Sequence, residues 1–281
     1  PAQIAAVVEQ ATAELDAKVD AYLQGLTTAQ PKSPEFDTRA ADVRTMGDAD
    51  IRRAAEELCL PLGKKIGPDP ASIGAAKIGG IAANNASGMC CGTAQNSYKT
   101  LAGLRVMLAD GSLLDTEDPL SIAAFSKTHA VLLGELERLG RDTRANVALA
   151  NRIRQKFKIK NTTGYSLNAL VDYEDPIDIL AHLMIGSEGT LGFMTRITYQ
   201  TVVEDPCKAS ALVFFPDIRT ACEAVIRLKP QPVSAVELLD RPAIHSVENK
   251  PGLPAIMRQL GEEAAALLIE VRSPTDRKSV V

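Results

Sequence analysis

Residues 78–88 read Ile78-Gly79-Gly80-Ile81-Ala82-Ala83-Asn84-Asn85-Ala86-Ser87-Gly88, a run of small residues with two glycines in tandem. Small residues let a backbone approach a flat or anionic ligand closely, and successive N–H groups can bind phosphate oxygens. Asn84 and Asn85 add amide donors and acceptors suited to the carbonyls and nitrogens of a ring. The run matches neither G-x-x-x-x-G-K-[ST] nor G-x-G-x-x-G. A packed structural loop and a ligand cradle both remain open, because glycine also serves turns and bulges.

A second glycine-rich segment, residues 186–192, reads Gly-Ser-Glu-Gly-Thr-Leu-Gly and precedes a strand with period two that begins at Phe193. Its three glycines again permit close backbone approach, and Glu188 is its single charge. Alone, this segment is a weak signal. Together, the two segments can line one elongated ligand.

The residues before and after the first glycine-rich segment show a clearer hydrophobic periodicity. Apolar residues at spacings of three and four predict a helix over residues 4–26, residues 27–47 indicate a linker, and Asp48 can cap a short helix that ends before Pro61. Residues 63–103 show little helical or strand period. Alternation over residues 104–108 and the Asp110-Gly111 turn predict a β-hairpin that returns at residues 113–114.

The second half of the chain begins helical and then alternates. Residues 119–157 predict helix and lead into a basic run over residues 152–160, typical of a solvated face, with steering of an anionic substrate as the alternative. Strands at residues 209–215, 233–239 and 265–271 alternate with helices over residues 219–228 and from residue 242. This alternation predicts a second, smaller module whose sheet is covered by helices.

Composition excludes several classes of protein. The chain has 281 residues and a formal charge of −4, and this mild acidity argues against nonspecific DNA binding. It contains no apolar run of the roughly 18–20 residues that span a bilayer, and no secretory signal is visible. Five cysteines without framework spacing indicate reduced thiols in a cytoplasmic compartment.

Metal and hydrolytic chemistry have little support in the sequence. His129, His182 and His245 are far apart and lack partners at metal-ligand spacing, so no metal site is predicted. Cys90-Cys91 is interpreted as a small buried thiol pair rather than a redox centre. No serine lies in G-x-S-x-G, and no cysteine has a persuasive histidine partner.

Several motifs, in order, resemble the FAD-linked oxidases, the relatives of vanillyl-alcohol oxidase with a PCMH-type fold. They are residues 67–72 (Gly-Pro-Asp-Pro-Ala-Ser), 78–88, 104–111 and 185–192. Residues 160–167 (Lys-Asn-Thr-Thr-Gly-Tyr-Ser-Leu) and 235–241 (Ala-Val-Glu-Leu-Leu-Asp-Arg) are similar to bacterial respiratory D-lactate and D-2-hydroxyglutarate dehydrogenases. That branch includes long forms with a C-terminal iron–sulfur domain. The resemblance covers about residues 60–272.

The resemblance implies an α+β fold. A PCMH-type FAD-binding domain, its second subdomain, would occupy residues 61–205, followed by part of an α/β cap (substrate) domain at residues 206–281. Residues 1–60 stay unassigned, as a helical segment and linker. The implied contacts with FAD come from both glycine-rich segments: Pro68, Ile78, Gly79, Gly80, Asn84, Ala86, Ser87 and Gly88, with Glu188, Gly189 and Phe193 on the other side.

The implied reaction is FAD-dependent oxidation of a D-2-hydroxy acid to the 2-oxo acid, with hydride transfer to flavin N5. D-Lactate is the first candidate substrate, as in cytochrome-type D-lactate dehydrogenases, and D-2-hydroxyglutarate is the alternative. The implied partners are this acid and a respiratory acceptor (quinone or cytochrome), with no nucleic acid and no transmembrane segment. The implied location is cytoplasmic or peripheral at the inner membrane face. No catalytic base is identified, and Glu237 and Asp240 are interpreted as structural.

The sequence also departs from the family pattern. Residues 1–60 contain no R-G-x-G-T-S-type loop of the kind that holds the FAD pyrophosphate in the family. The histidine motif of the cap and an iron–sulfur cysteine cluster are likewise missing. We therefore expect a fragment of a larger flavoenzyme that is inactive alone. The alternative from another class is an inert flavin-domain remnant, or a module that binds a ligand without turnover.

Overall fold

The computed structural model describes residues 59–275, so the helix and linker expected over residues 4–58 lie outside the described residues. The strands are β1 (Lys64–Ile66), β2 (Leu101–Met107), β3 (Leu113–Asp115), β4 (Phe193–Tyr199), β5 (Thr201–Val203), β6 (Cys207–Phe215), β7 (Ala235–Leu239) and β8 (Ala265–Ser273). The helices are α1 (Ile78–Asn84), α2 (Ser97–Thr100), α3 (Pro119–Thr128), α4 (Ala130–Ala145), α5 (Val147–Lys156), α6 (Ala169–Asp172), α7 (Pro176–Met184), α8 (Ile218–Leu228) and α9 (Arg241–Val247). Two 3₁₀ turns cover Leu60–Leu62 and Ala255–Gln259.

The predicted hairpin forms the centre of the first sheet, whose antiparallel order is β3-β2-β4. Asp110 Oδ1 accepts from Ser112 N at 2.9 Å, and Gly111 takes the positive φ of 82° that the turn requires. Leu104 and Val106 of β2 are fully buried in a core that also contains residues of α7. Period-two alternation therefore places one face of β2 against the helices.

The helical prediction for residues 119–157 is confirmed, as three helices rather than one. The helical conformation is interrupted at His129 and at Asn146. The Asn146 side chain caps α5 by accepting from Leu149 N at 3.1 Å. The His129 ring stacks on Phe125 with centroids 4.0 Å apart, and it bonds Asp110 through Nε2 at 3.0 Å. The hairpin turn and the α3–α4 junction are thereby tied together.

The strand–helix alternation predicted for the C-terminal part is also confirmed. Its antiparallel sheet has the order β6-β8-β7. Alternate residues of β8 face opposite sides: Ala265 and Leu267 pack in a cluster with Ala221 of α8, and Ala266 packs with Ile244 of α9. Helices therefore cover both faces of the sheet, and the mixed α+β class is as expected.

One expectation was wrong. Residues 78–88, predicted without regular structure, contain α1, which ends at Asn85 with a left-handed φ of 52°. Burial of Ile81 and Ala82 holds the helix, while Gly79 and Gly80 each lower helix propensity by about 1 kcal/mol and hide it from the sequence pattern. Helices α6 and α7 were not predicted either. None of the helices between residues 59 and 275 is long and apolar enough to cross a membrane.

Candidate functional site

The structure brings the two glycine-rich segments together. Gly186 N donates to Ala82 O at 3.1 Å, and Glu188 N donates to Ala83 O at 2.9 Å. The side chains add a third bond, because Asn84 Nδ2 donates to Glu188 Oε1 at 2.6 Å. The C-terminal half of α1 and residues 186–188 therefore form one continuous surface.

Left-handed backbone shapes this contact on both sides. Asn85 and Glu188 have φ values of 52° and 53°, a conformation that costs a non-glycine residue about 1–2 kcal/mol. Asn85 is held there by its own side chain, whose Oδ1 accepts from Tyr98 N at 3.2 Å. Gly186 has φ 86°, and a Cβ on it would lie 3.2 Å from Ser166 Oγ. Strained backbone of this kind is typical of ligand-binding sites.

Some glycines of the first segment are required by protein packing, and others face open space. This difference helps to decide whether the segment is a packed structural loop or a ligand cradle. A Cβ on Gly88 would lie 1.9 Å from the backbone oxygen of Asp69, so protein packing requires that glycine. A Cβ on Gly79 or Gly80 would meet no atom within 4 Å. Packing explains Gly88, whereas the tandem glycines leave open space above α1 that a ligand can approach closely.

Two serine hydroxyls, one from each segment, fit a bound cofactor. Ser87 and Ser187 are 4 % and 1 % exposed, and within the described residues neither Oγ has a hydrogen-bond partner. An unpaired buried hydroxyl costs about 1–3 kcal/mol. FAD carries carbonyl, hydroxyl and phosphate oxygens, so these hydroxyls and the bare α1 surface fit that cofactor. Sequence reasoning missed Ser187, because a serine in a glycine-rich segment carries no pattern of its own.

A third segment, residues 160–167, braces both glycine-rich segments. Lys160 Nζ donates to the backbone oxygen of Ser87. Ser166 Oγ donates to Ile185 O at 2.6 Å. Tyr165 Oη lies 2.9 Å from Thr190 Oγ1, and Thr190 Oγ1 in turn donates to Ser187 O at 2.6 Å. Lys160 therefore contacts the first glycine-rich segment, and Tyr165 contacts the second.

The remaining residues of the expected contact set lie in different surroundings. Pro68 is fully buried without any ligand. Ala86 is half-buried, and its N–H donates to Ile81 O at 2.9 Å. Gly189 is exposed with φ 73°, and Phe193 is 57 % exposed at the first position of β4. The structure thus joins α1 and Glu188 at one surface, whereas Pro68 and Ser87 are buried.

The histidines do not supply a base at this surface. His182 is buried, stacks on Tyr173 with centroids 3.9 Å apart, and bonds Asp178 O through Nδ1. Burial lowers its pKa. His245 Nδ1 bonds Glu248 Oε1 at 2.8 Å, and His129 bonds Asp110. Between residues 59 and 275, no group of three or more His, Cys, Asp or Glu side chains is placed to hold a metal ion.

All five cysteines are free thiols. Burial, followed by a hydrogen bond with Asp69, raises the pKa of Cys91 to about 11. Burial and then a hydrogen bond to Glu270 raise the pKa of Cys90, whose Sγ lies 3.2 Å from Glu270 Oε1. Neither thiol of the vicinal pair has the low pKa of a reactive cysteine.

Comparison with known protein families gives two matches, each to part of the chain. The family described as FAD binding domain matches residues 52–117, and the family described as FAD linked oxidases, C-terminal domain, matches residues 205–279. Two crystal forms of alkyldihydroxyacetonephosphate synthase are similar at 15 % identity, with TM-scores of 0.46 and 0.47. They cover 80 % and 78 % of this chain, which spans only 33 % and 32 % of theirs. The comparison with curated proteins found no match.

Proposed function

Because the chain carries the FAD-binding domain and the C-terminal domain of the FAD-linked oxidases, we propose that it oxidises a D-2-hydroxy acid to the 2-oxo acid. FAD is the cofactor that both domains indicate. The observation that carries the proposal is the contact between residues 82–84 and residues 186–188, which brings the two glycine-rich segments together in a chain with these matches. D-Lactate is the first candidate substrate.

The residues of this surface have distinct roles in the proposal. Bound flavin supplies the two-electron acceptor for oxidation of the hydroxyl-bearing carbon. Gly79 and Gly80 leave the room for close approach, while Ser87 and Ser187 would donate to cofactor oxygens. Glu188 keeps both segments in register by accepting from Asn84. Its carboxylate can also accept from the cofactor, so holding the loop and contacting FAD both remain open for Glu188.

The support for a 2-hydroxy acid comes from residues 160–167. This segment carries the resemblance to the D-lactate branch, and it contacts both glycine-rich segments through Lys160, Tyr165 and Ser166. A substrate-specific segment is expected beside the cofactor, where it can orient the carbon that reacts. D-2-Hydroxyglutarate is the second candidate, because the exposed basic run over residues 152–160 would attract a dianion.

The test begins with the flavin absorption spectrum of the purified chain after incubation with FAD and gel filtration. D-Lactate, L-lactate and D-2-hydroxyglutarate are then compared as donors to an artificial dye. Because this chain is expected to be inactive alone, we expect it to retain flavin without dye reduction, and we expect a longer form of the protein to reduce dye with a D-acid but not with L-lactate. Dye reduction by this chain alone would contradict the expectation of an inactive fragment, and flavin retained without turnover by the longer form would favour the ligand-binding alternative. Absence of flavin at saturating FAD would reject cofactor binding by this chain.

A further inference from the structure

A network of charged side chains connects strands from distant parts of the chain. Arg272 on β8 donates through Nε to Glu270 Oε1 at 2.5 Å and through Nη1 to Glu204 Oε2 at 3.2 Å. Glu204 also binds Lys65 of β1, at 3.0 Å, and Lys208 of β6. We call these five residues the ion-pair joint.

Four of the five side chains of the joint are shielded from solvent, which distinguishes them from ordinary surface ion pairs, whereas Lys208 is 44 % exposed. The side chains of Lys65, Glu204, Glu270 and Arg272 are each 15 % exposed. Burial alone would raise the pKa of the Glu204 carboxyl, but hydrogen bonds from Lys208 and Lys65 outweigh it and leave the pKa lowered. Exposed pairs contribute little to stability, whereas removing one partner of a shielded pair leaves the other charge uncompensated.

Glu270, at one end of the joint, is linked to the surface formed by α1 and residues 186–188, which we call the cofactor surface. Cys90 Sγ donates to Glu270 Oε1 at 3.2 Å, and Cys90 is two residues beyond Gly88. Gly88 N in turn lies 3.2 Å from Cys91 Sγ, and Cys91 N donates to Asp69 Oδ1 at 3.3 Å. The end of the first glycine-rich segment is therefore fixed both to residue 69 and, through Cys90, to strand β8.

We propose that the ion-pair joint fixes the position of β6 and β8 relative to β1. We further propose that this position is coupled to cofactor binding at the surface formed by α1 and residues 186–188. Residues 88–90 transmit the coupling, since they join the glycine-rich segment to Glu270. Ordering the segment by a bound cofactor strengthens the Cys90–Glu270 contact, and loosening the joint at Glu204 weakens cofactor binding by the same factor. The coupling to FAD rests on the proposed function, whereas the mechanical link between Glu204 and Cys90 does not.

The experiment uses the alkylation rate of Cys90 by iodoacetamide, followed by mass spectrometry, as a probe at the far end of the joint from Glu204. Glu204→Gln removes the charge that binds Arg272 and leaves Cys90 and Glu270 unchanged. We expect Cys90 in this variant to be alkylated at least about fivefold faster, the lower end of typical coupling between sites. The exposed Cys222 on α8 is the internal reference and keeps its rate.

The matched control is Glu135→Gln, which removes an exposed ion pair with Arg138 on α4 and should leave the Cys90 rate unchanged. Lys65→Met is the milder second variant, should Glu204→Gln fail to fold. In the unmodified chain, saturating FAD should slow Cys90 alkylation, and Glu204→Gln should weaken FAD binding. Equal alkylation rates of Cys90 in Glu204→Gln, Lys65→Met and Glu135→Gln would refute the proposed link between the joint and Cys90. Lack of FAD binding would overturn both the coupling to FAD and the proposed function. In that case, a faster alkylation of Cys90 in Glu204→Gln would still support the mechanical link between Glu204 and Cys90.

Discussion

Replacing Gly80 by alanine should make the protein more stable and its cofactor binding weaker. Gly80 lies within α1 and is exposed, and a Cβ there meets no atom within 4 Å. Removing a helical glycine stabilises by about 0.5–1 kcal/mol. At about 2–4 °C per kcal/mol for a domain of this size, Tm without cofactor should rise by about 1–4 °C. The added methyl occupies the space assigned to FAD, so affinity should fall at least about tenfold, or about 1.4 kcal/mol.

The control is Gly134→Ala in α4, another exposed helical glycine with no atom within 4 Å of its Cβ. It should raise Tm by a similar amount and leave FAD affinity unchanged. Thermal melts without cofactor and fluorescence titration with FAD measure both effects. The reasoning is refuted if Gly80→Ala and Gly134→Ala bind FAD equally well, because α1 would then not face the cofactor.

Three further changes test the surroundings of the site. Glu188→Ala removes the acceptor for Asn84, so urea unfolding without FAD should show a loss of about 0.5–1.5 kcal/mol, and an extra loss seen only with FAD would assign Glu188 to cofactor contact. Tyr98→Phe removes a buried hydroxyl that donates to Asp172 at 2.9 Å, so the free energy of unfolding should fall by about 1–2 kcal/mol, and no change would contradict this contact. The Glu204 pKa is lowered from 4.5 despite burial, so its stabilisation is complete above that value and is lost as pH falls below it. Melts across the acidic range should show a shallower decline for Glu204→Gln than for the parent, and identical slopes would contradict the ion pairing.

Local periodicity predicted the parts of the fold that depend on neighbouring residues. The hairpin follows from alternation over residues 104–108 and from the Asp110-Gly111 turn, and strand β4 follows from the period of two that begins at Phe193. Helix α1 escaped prediction because Gly79 and Gly80 weaken its propensity, and burial of Ile81 compensates only in the folded chain. Tertiary context decides such short helices.

The two segments of the site were found from their glycines, but their contact was not. The bond between Asn84 and Glu188 joins residues 104 positions apart in the chain, and their approach depends on the pairing of β2 with β4. The left-handed backbone of Glu188 has no sequence signature, whereas that of Asn85 agrees with the enrichment of asparagine in this conformation at helix ends. Burial of Ser187 likewise arises only when the segments meet.

Hydrogen exchange with and without saturating FAD tests most directly whether the two glycine-rich segments form one cofactor surface. Backbone amides of residues 78–88 and 186–192 should gain protection together on addition of FAD, while amides of α4 should keep their exchange rates. Protection of only one segment would contradict a shared surface. Binding of FAD without protection of either segment would place the cofactor elsewhere and would refute the assignment.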